Sequence, residues 1–154
     1  MSVSLSSCAT NQANLDPKQQ LLQEKSCLKC DLQGADFNQV NLERAQLNGS
    51  DLSNANLESA NLSGAFLDET NLSGANLSKA NLSNAGLSSA NLNGANLQGV
   101  NLSGAYLRNA DLTNANLSGA NLENSDLTGT NLDQVKLDGA NLKGALMPDN
   151  TVHE

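Results

Sequence analysis

The segment ANLESANLSG, residues 55–64, contains two copies of a five-residue unit: a small residue, an asparagine, a leucine and two mostly polar residues. Centring the unit on its leucine and stepping by five in both directions keeps the pattern from residue 32 to residue 147, which gives 24 units without an insertion. Every centre is leucine except Phe37 and Met147, and the position two before it is nearly always alanine. Such strict self-similarity indicates a repeat architecture.

The composition agrees with a small repeated unit. The chain has 154 residues, of which 2% are aromatic and none is tryptophan, so leucine and alanine must supply nearly all the buried surface. The formal net charge of −8 argues against nucleic-acid or anionic-membrane partners held by a basic patch. No apolar run approaches the roughly 20 residues of a membrane span. We therefore expect one domain, no nucleic-acid partner and no membrane span.

A period of five fits neither of the common regular elements. On an α-helix five residues advance by about 500°, so the leucines would form no stripe. On a flat strand the odd spacing would send alternate leucines to opposite faces. The pattern therefore predicts that each unit forms a short side and then turns a corner, with the leucine and the small residue pointing inward.

The exceptions to the repeat indicate how many sides make one coil. Six units lack asparagine or aspartate before the centre, and five of them are separated by whole multiples of four units. The unusual inward residues Cys30, Ser50, Thr70 and Thr130 are also separated by whole multiples of four units. A coil of three units would scatter both sets, so we predict four sides per coil and about six coils.

The A(N/D)LXX pattern, as in ANLES at 55–59 and ANLSK at 75–79, resembles the pentapeptide-repeat family over about four-fifths of the chain. The resemblance implies an all-β solenoid, specifically a right-handed quadrilateral β-helix. Its coils would stack at the parallel ladder spacing of about 4.8 Å. Stability would then be roughly a sum of contacts between neighbouring coils.

The chain divides into four predicted segments: a flexible N-terminal part (1–15), a capping helix with a CxxC junction (16–29), the repeat solenoid (30–149) and a tail (150–154). Asp16 suits the N-cap of the helix and Pro17 its first position. Leu21 and Leu22 would then cover the first coil. No apolar helix follows Met147, so we expect the C-terminal end to fray or to pack against a neighbour, as a monomer or a weak end-to-end dimer.

Cys27 and Cys30 lie at the junction between the helix and the solenoid. Cys30 occupies an inward position and Cys27 falls on the phase of the centres, so a disulfide between them would attach the helix to the first coil. Two free structural thiols and a redox CxxC are the alternatives, although no βαβ pattern surrounds the pair. A zinc site would need more ligands, and His153 is the single histidine.

A structural disulfide indicates an oxidising compartment. The region from Leu21 to Leu32 also resembles exported cyanobacterial pentapeptide-repeat proteins, which implies the periplasm or the thylakoid lumen, with a cytoplasmic location as the alternative. The segment LSSC, residues 5–8, resembles a lipoprotein cleavage box but lacks the preceding apolar run. We favour an export signal that has been removed over a lipid anchor at Cys8.

One side of the solenoid differs from the others in the residue before each centre. Three sides carry asparagine or aspartate almost throughout, which we interpret as hydrogen bonding to the corner backbone. The fourth, called side four, instead carries Phe66, Gly86 and Tyr106, with Arg108 adjacent and Leu146 at its end. Two isolated surface aromatics are one interpretation. An interaction face is the other, since amphipathic rings suit interfaces.

These features predict a non-catalytic structural or protein-interaction module with an unknown protein partner. Repeated polar residues on flat walls make no pocket of converging groups, so we expect no enzyme activity, cofactor or metal site. The alternative hypothesis is a DNA-mimicking binder of a type II topoisomerase, which the family resemblance suggests. Against it, no acidic residue occurs from Thr70 to Ala110, and the acidic stripe is interrupted there.

Overall fold

The computed structural model describes residues 15–154. Within this range it contains one helix, α1 (Pro17–Glu24), followed by four walls of stacked single-residue β-bridges. Each bridge along the walls is parallel and joins a residue to its equivalent four units later, from Ser26–Gln46 to Asp126–Leu146. This pairing shows that four five-residue units make one coil, in agreement with the prediction of four sides.

The backbone of each unit bonds to the coils on both sides of it. The N–H of Leu82 donates to the carbonyl of Asn101 in the next coil at 2.7 Å, and the N–H of Asn81 donates to Ala60 in the preceding coil at 2.9 Å. The N–H of Ala85 donates to Leu82 at 3.1 Å and closes the corner. One bridge per side, together with the corner bond and the side-chain bond between Asn81 and the N–H of Ser83, satisfies these backbone groups. Among residues 15–154 the bridges do not extend into longer strands.

The corner explains where the glycines lie. The residue two after each centre, from Leu32 to Leu142, has a positive φ, as in Asn84 (φ 56°) and Gly104 (φ 65°). Glycine and asparagine tolerate this left-handed conformation better than other residues. Of the 12 glycines all but Gly86 occupy such a corner, so Gly86 needs a different explanation.

The core is a set of leucine and alanine columns along the inside of the coils. Leu92, Ala95 and their equivalents from Leu42 to Leu122 are essentially inaccessible to solvent. Phe37 is fully buried in the first coil, beneath the Nζ atom of Lys18. Burial of such side chains contributes about 25 cal/mol per Å² of apolar surface, which makes the columns the main source of stability.

Helix α1 covers the N-terminal end of the solenoid. Asp16 accepts a hydrogen bond from the N–H of Lys18, and Pro17 occupies the first turn. Leu21 is fully buried and Leu22 packs half-buried against the core. The helix therefore shields apolar surface that the first coil would otherwise expose.

The stacking begins one unit before residue 30. Ser26 forms a bridge with Gln46, and the buried Cys27 takes the place of a centre residue. The sulfur atoms of Cys27 and Cys30 lie within bonding distance, with their Cα atoms 5.6 Å apart. The junction is thus part of the first coil, because the backbone of Ser26 already pairs with Gln46 in the second coil.

The C-terminal tail folds back instead of fraying. Val152 forms an antiparallel bridge with Leu146, and the N–H of Met147 donates to Thr151 at 2.7 Å. The N–H of His153 donates to Ala145 at 2.9 Å. This hairpin covers the last coil on side four, whereas inward residues on its other sides stay half-buried: Leu132, Leu137 and Leu142.

Candidate interaction site

Three walls of the solenoid are occupied by asparagine and aspartate ladders. On side three the Oδ1 atom of Asn81 accepts the N–H of Ser83 at 3.2 Å, as expected for a residue that stabilises the corner. Its Nδ2 atom donates to Asn61 at 3.3 Å and its Oδ1 accepts from Asn101 at 3.2 Å. The side chains thus bond one another as well as the backbone, so the amide groups before the centres are engaged within the solenoid.

Side four has an open depression where the ladder is missing. Phe66 and Tyr106 are 49% and 54% exposed and belong to alternate coils, with Gly86 in the coil between them. Two coil spacings place the two positions roughly 10 Å apart. The depression has a volume of about 330 Å³, and we call it the aromatic depression; it is lined by Gly64, Phe66, Asp68, Asn84, Gly86, Ser88 and Tyr106.

The carboxylate residue that lines the aromatic depression is Asp68. Its Oδ1 atom accepts the N–H of Ser88 in the next coil at 2.9 Å. A Cβ atom at Gly86 would lie 3.3 Å from both carboxylate oxygens. The missing side chain at Gly86 therefore makes room both for the depression and for the carboxylate.

Arg108, two residues after Tyr106, was also predicted for the interaction face, but it is not among the residues that line the depression and is already paired. Its Nε atom donates to Oδ2 of Asp126 at 2.5 Å, and Asp126 lies in the following coil. Burial favours the neutral form of Asp126, but hydrogen bonds from Thr128 and Arg108 outweigh it and lower the pKa of this carboxyl below its usual range. The ion pair thus engages the guanidinium with Asp126, and the described residues contain no ion pair between Arg108 and Asp68.

Leu146, also predicted for the interaction face, lies apart from the aromatic depression. It is two coils beyond Tyr106 and is half-buried by its bridge to Val152. The bridge to the tail therefore separates Leu146 from the other predicted face residues, and its membership of the interaction face stays a prediction. Cys8 lies outside the described residues.

Sequence reasoning missed Asp68. A usable signal was present, since Asp68, Ser88 and Arg108 recur at intervals of four units and therefore form one column beside Phe66 and Tyr106. The column places Asp68 next to the aromatic positions, but the orientation of its carboxylate depends on the empty space at Gly86.

Residues 15–154 contain neither a candidate metal site nor a candidate membrane-spanning helix. No group of three or more histidine, cysteine, aspartate or glutamate side chains is arranged to hold a metal ion. No helix in the same range has the length and apolar character needed to cross a membrane.

The repeats match a family model over most of the chain. The model for pentapeptide repeats matches residues 27–64, 50–88, 65–104 and 105–144. The chain belongs to the pentapeptide-repeat family. The family's fold is a right-handed quadrilateral β-helix, in agreement with the four-unit spacing of the bridges.

Several solved structures of the family are similar to this chain. HetL from Nostoc sp. strain PCC 7120, a protein involved in heterocyst differentiation regulation, is 34% identical over 83% of this chain and 72% of its own (TM-score 0.35). Rfr23 from Cyanothece 51142 is 32% identical over 90% of this chain and 97% of its own (TM-score 0.41). A thylakoid-lumen protein from Arabidopsis thaliana is 30% identical over 70% of this chain and 71% of its own (TM-score 0.45). Comparison with curated proteins found no match.

Proposed function

We propose that this protein is a non-catalytic interaction module that binds a partner protein through the aromatic depression. The observation that carries the proposal is the position of the aromatic residues. The chain has three, and while Phe37 is buried in the core, Phe66 and Tyr106 stand exposed around one opening. Exposed rings that border a concave surface are typical of the central part of a protein interface.

The other walls support this assignment by contrast. The amide groups that precede their centres are engaged in ladders between coils, as in Asn61, Asn81 and Asn101. A partner that bound there would have to compete with these hydrogen bonds, whereas the rings of the aromatic depression are free to be covered. The solenoid would then act as a rigid support that holds the two rings at a fixed separation.

Replacing Phe66 and Tyr106 together with serine should abolish most partner capture and leave the fold intact. Both rings are half-exposed, so their loss removes contact surface without opening the core. Affinity capture from the native compartment, with circular dichroism of each variant, measures both effects. Sedimentation velocity of the same proteins reports any weak end-to-end dimer.

Leu28→Ser is the matched control, because Leu28 is 55% exposed and lies outside the aromatic depression. It should capture the same proteins as the unchanged chain. Equal capture by the double variant and by the control would contradict the proposed function.

We also propose that the protein works in an oxidising compartment, the periplasm or the thylakoid lumen. The close approach of Cys27 and Cys30, with Cys27 buried, supports this location. Protein purified without reductant should take one alkyl group, at Cys8, and three after reduction, as read by intact-mass analysis. Three alkyl groups without reduction would exclude the disulfide.

The hypothesis of a topoisomerase binder has less support. A DNA-mimicking surface needs a continuous row of negative charge, and the coils between Thr70 and Ala110 contain no aspartate or glutamate. The two basic residues in this stretch, Lys79 and Arg108, interrupt the row further. We therefore favour a partner recognised at the aromatic depression.

A further inference from the structure

The carboxylate of Asp68 can accept more hydrogen bonds than it does within the solenoid. Its Oδ1 atom accepts one hydrogen bond, from the N–H of Ser88, and within residues 15–154 its Oδ2 atom has neither a hydrogen bond nor an ion pair. The side chain is half-buried, and its oxygens lie against the open position at Gly86. A carboxylate can accept several strong hydrogen bonds, so this one is available to a donor that enters the depression.

The two rings flank this carboxylate. The contacts of Asp68 with Ser88 and Gly86 place its oxygens at the level of the coil that lies between Phe66 and Tyr106. The faces of aromatic rings carry partial negative charge and attract cations. All three groups around the opening therefore favour a positively charged guest.

No lysine or arginine in the described part of the chain forms an ion pair with Asp68. Arg108, two coils above Asp68 in the same column, directs its Nε atom to Asp126 in the coil beyond. Asp68 would repel an anionic guest. A purely apolar guest would bury the charge of the Asp68 carboxylate without a compensating partner. The net charge of −8 adds a long-range attraction for basic partners.

We propose that the aromatic depression binds an arginine side chain displayed by the partner protein, an inference that rests on the proposed function. A guanidinium group is planar, so it stacks on an aromatic ring while its N–H groups donate to a carboxylate. The ammonium group of lysine has the charge but not the flat face. A volume of about 330 Å³ is at the small end of ligand pockets and suits one side chain better than a larger ligand.

The chain contains its own probe for a binding test. Tyr106 is the single tyrosine and there is no tryptophan, so tyrosine fluorescence reports on the aromatic depression alone. A short capped peptide with one arginine should change this fluorescence and shift the ring NMR signals of Phe66 and Tyr106, saturably and less strongly at high salt. The same peptide with citrulline, which keeps the shape but lacks the charge, should have no saturable effect. A lysine peptide should bind more weakly than the arginine peptide.

Asp68→Asn should weaken binding of the arginine peptide roughly threefold, as expected for the loss of one partly exposed ion pair. Asparagine keeps an acceptor for the N–H of Ser88, so the fold should remain. Asp138→Asn is the matched control: it removes the same charge from an exposed position outside the depression and should leave binding unchanged.

Two results would overturn the inference: equal binding of the citrulline and arginine peptides, or equal affinity of the Asp68→Asn and Asp138→Asn proteins for the arginine peptide. The first comparison uses the unchanged protein and does not depend on the folding of a variant. If the peptide tests fail while the Phe66 and Tyr106 double variant still loses its partner, the interaction face stands and the arginine preference falls. If capture is also unchanged, both proposals fall.

Discussion

Leu92→Asp should unfold the central coils of the solenoid. Leu92 is completely buried in a leucine column, with coils stacked on both sides of it. Loss of a buried leucine costs about 2–5 kcal/mol, and an unpaired buried charge adds about 3–5 kcal/mol. The sum is comparable to the whole stability of a typical domain, about 5–15 kcal/mol. Circular dichroism and thermal denaturation should show a largely unfolded or aggregated chain.

The neighbouring residue provides a matched control for this prediction. Asn91→Asp introduces the same charge one position earlier, on the exposed wall, in a column that already contains Asp51 and Asp111. Aspartate retains an acceptor for the N–H of Asn93, which Asn91 binds at 3.0 Å, and loses only the donor to Asn71 at 3.3 Å. We expect its stability to change by less than about 1 kcal/mol. A soluble Leu92→Asp protein that melts like the Asn91→Asp protein would contradict the inward orientation of the centres.

Position within the stack should set the size of such effects. In a repeat protein each coil is stabilised by its neighbours, so a defect in the middle removes two interfaces and a defect at the end removes one. Leu92 has coils on both sides, whereas Leu137 in the last coil is half-buried and has a neighbour on one side. The burial pattern therefore indicates that the C-terminal coil contributes least per leucine.

The fold could be predicted because its information is local and repeated. Nearly every unit has a leucine at the same inward position. The exceptions to the asparagine or aspartate before the centre recur at intervals of four units, which is the spacing of the observed bridges: Gln46, Phe66, Gly86 and Tyr106. The family assignment made from the repeats is confirmed. Because the unit is repeated, many positions predict the same local conformation.

The remaining features depend on contacts that no repeat specifies. The bridge between Leu146 and Val152 requires a turn after Met147, which lies outside the periodic pattern. The orientation of Asp68 depends on a missing side chain one coil away, at Gly86. Such details follow from the space left by neighbouring coils, which becomes visible after the coils are stacked.

The asparagine ladders were predicted in part. Hydrogen bonds from asparagine to the corner backbone followed from the known preference of this residue in turns. The bonds between successive side chains were not foreseen, although they form a continuous row on side three from Asn41 to Asn141. This row raises the question of how much of the stability lies outside the leucine core.

Asn101→Ala should lower the free energy of unfolding by about 2–3 kcal/mol, because three hydrogen bonds of about 0.5–1.5 kcal/mol each are lost. The Nδ2 atom of Asn101 donates to Asn81 at 3.2 Å, and its Oδ1 accepts from Ser103 at 3.1 Å and from Asn121 at 3.4 Å. Urea denaturation should show the loss as a lower midpoint. Gln98→Ala is the control, since it also removes a side-chain amide, but an exposed one outside the ladders.

Asn101→Asp separates the two roles of the side chain. Aspartate keeps acceptors for Ser103 and Asn121 and loses the donor to Asn81, so it should cost less than about 1 kcal/mol. If the aspartate and alanine variants are equally destabilised, the donor to the preceding coil dominates. If Asn101→Ala denatures like Gln98→Ala, the ladder contributes nothing measurable, and the core columns alone hold the coils together. An intermediate aspartate variant would show that asparagine is required on side three because it both donates and accepts.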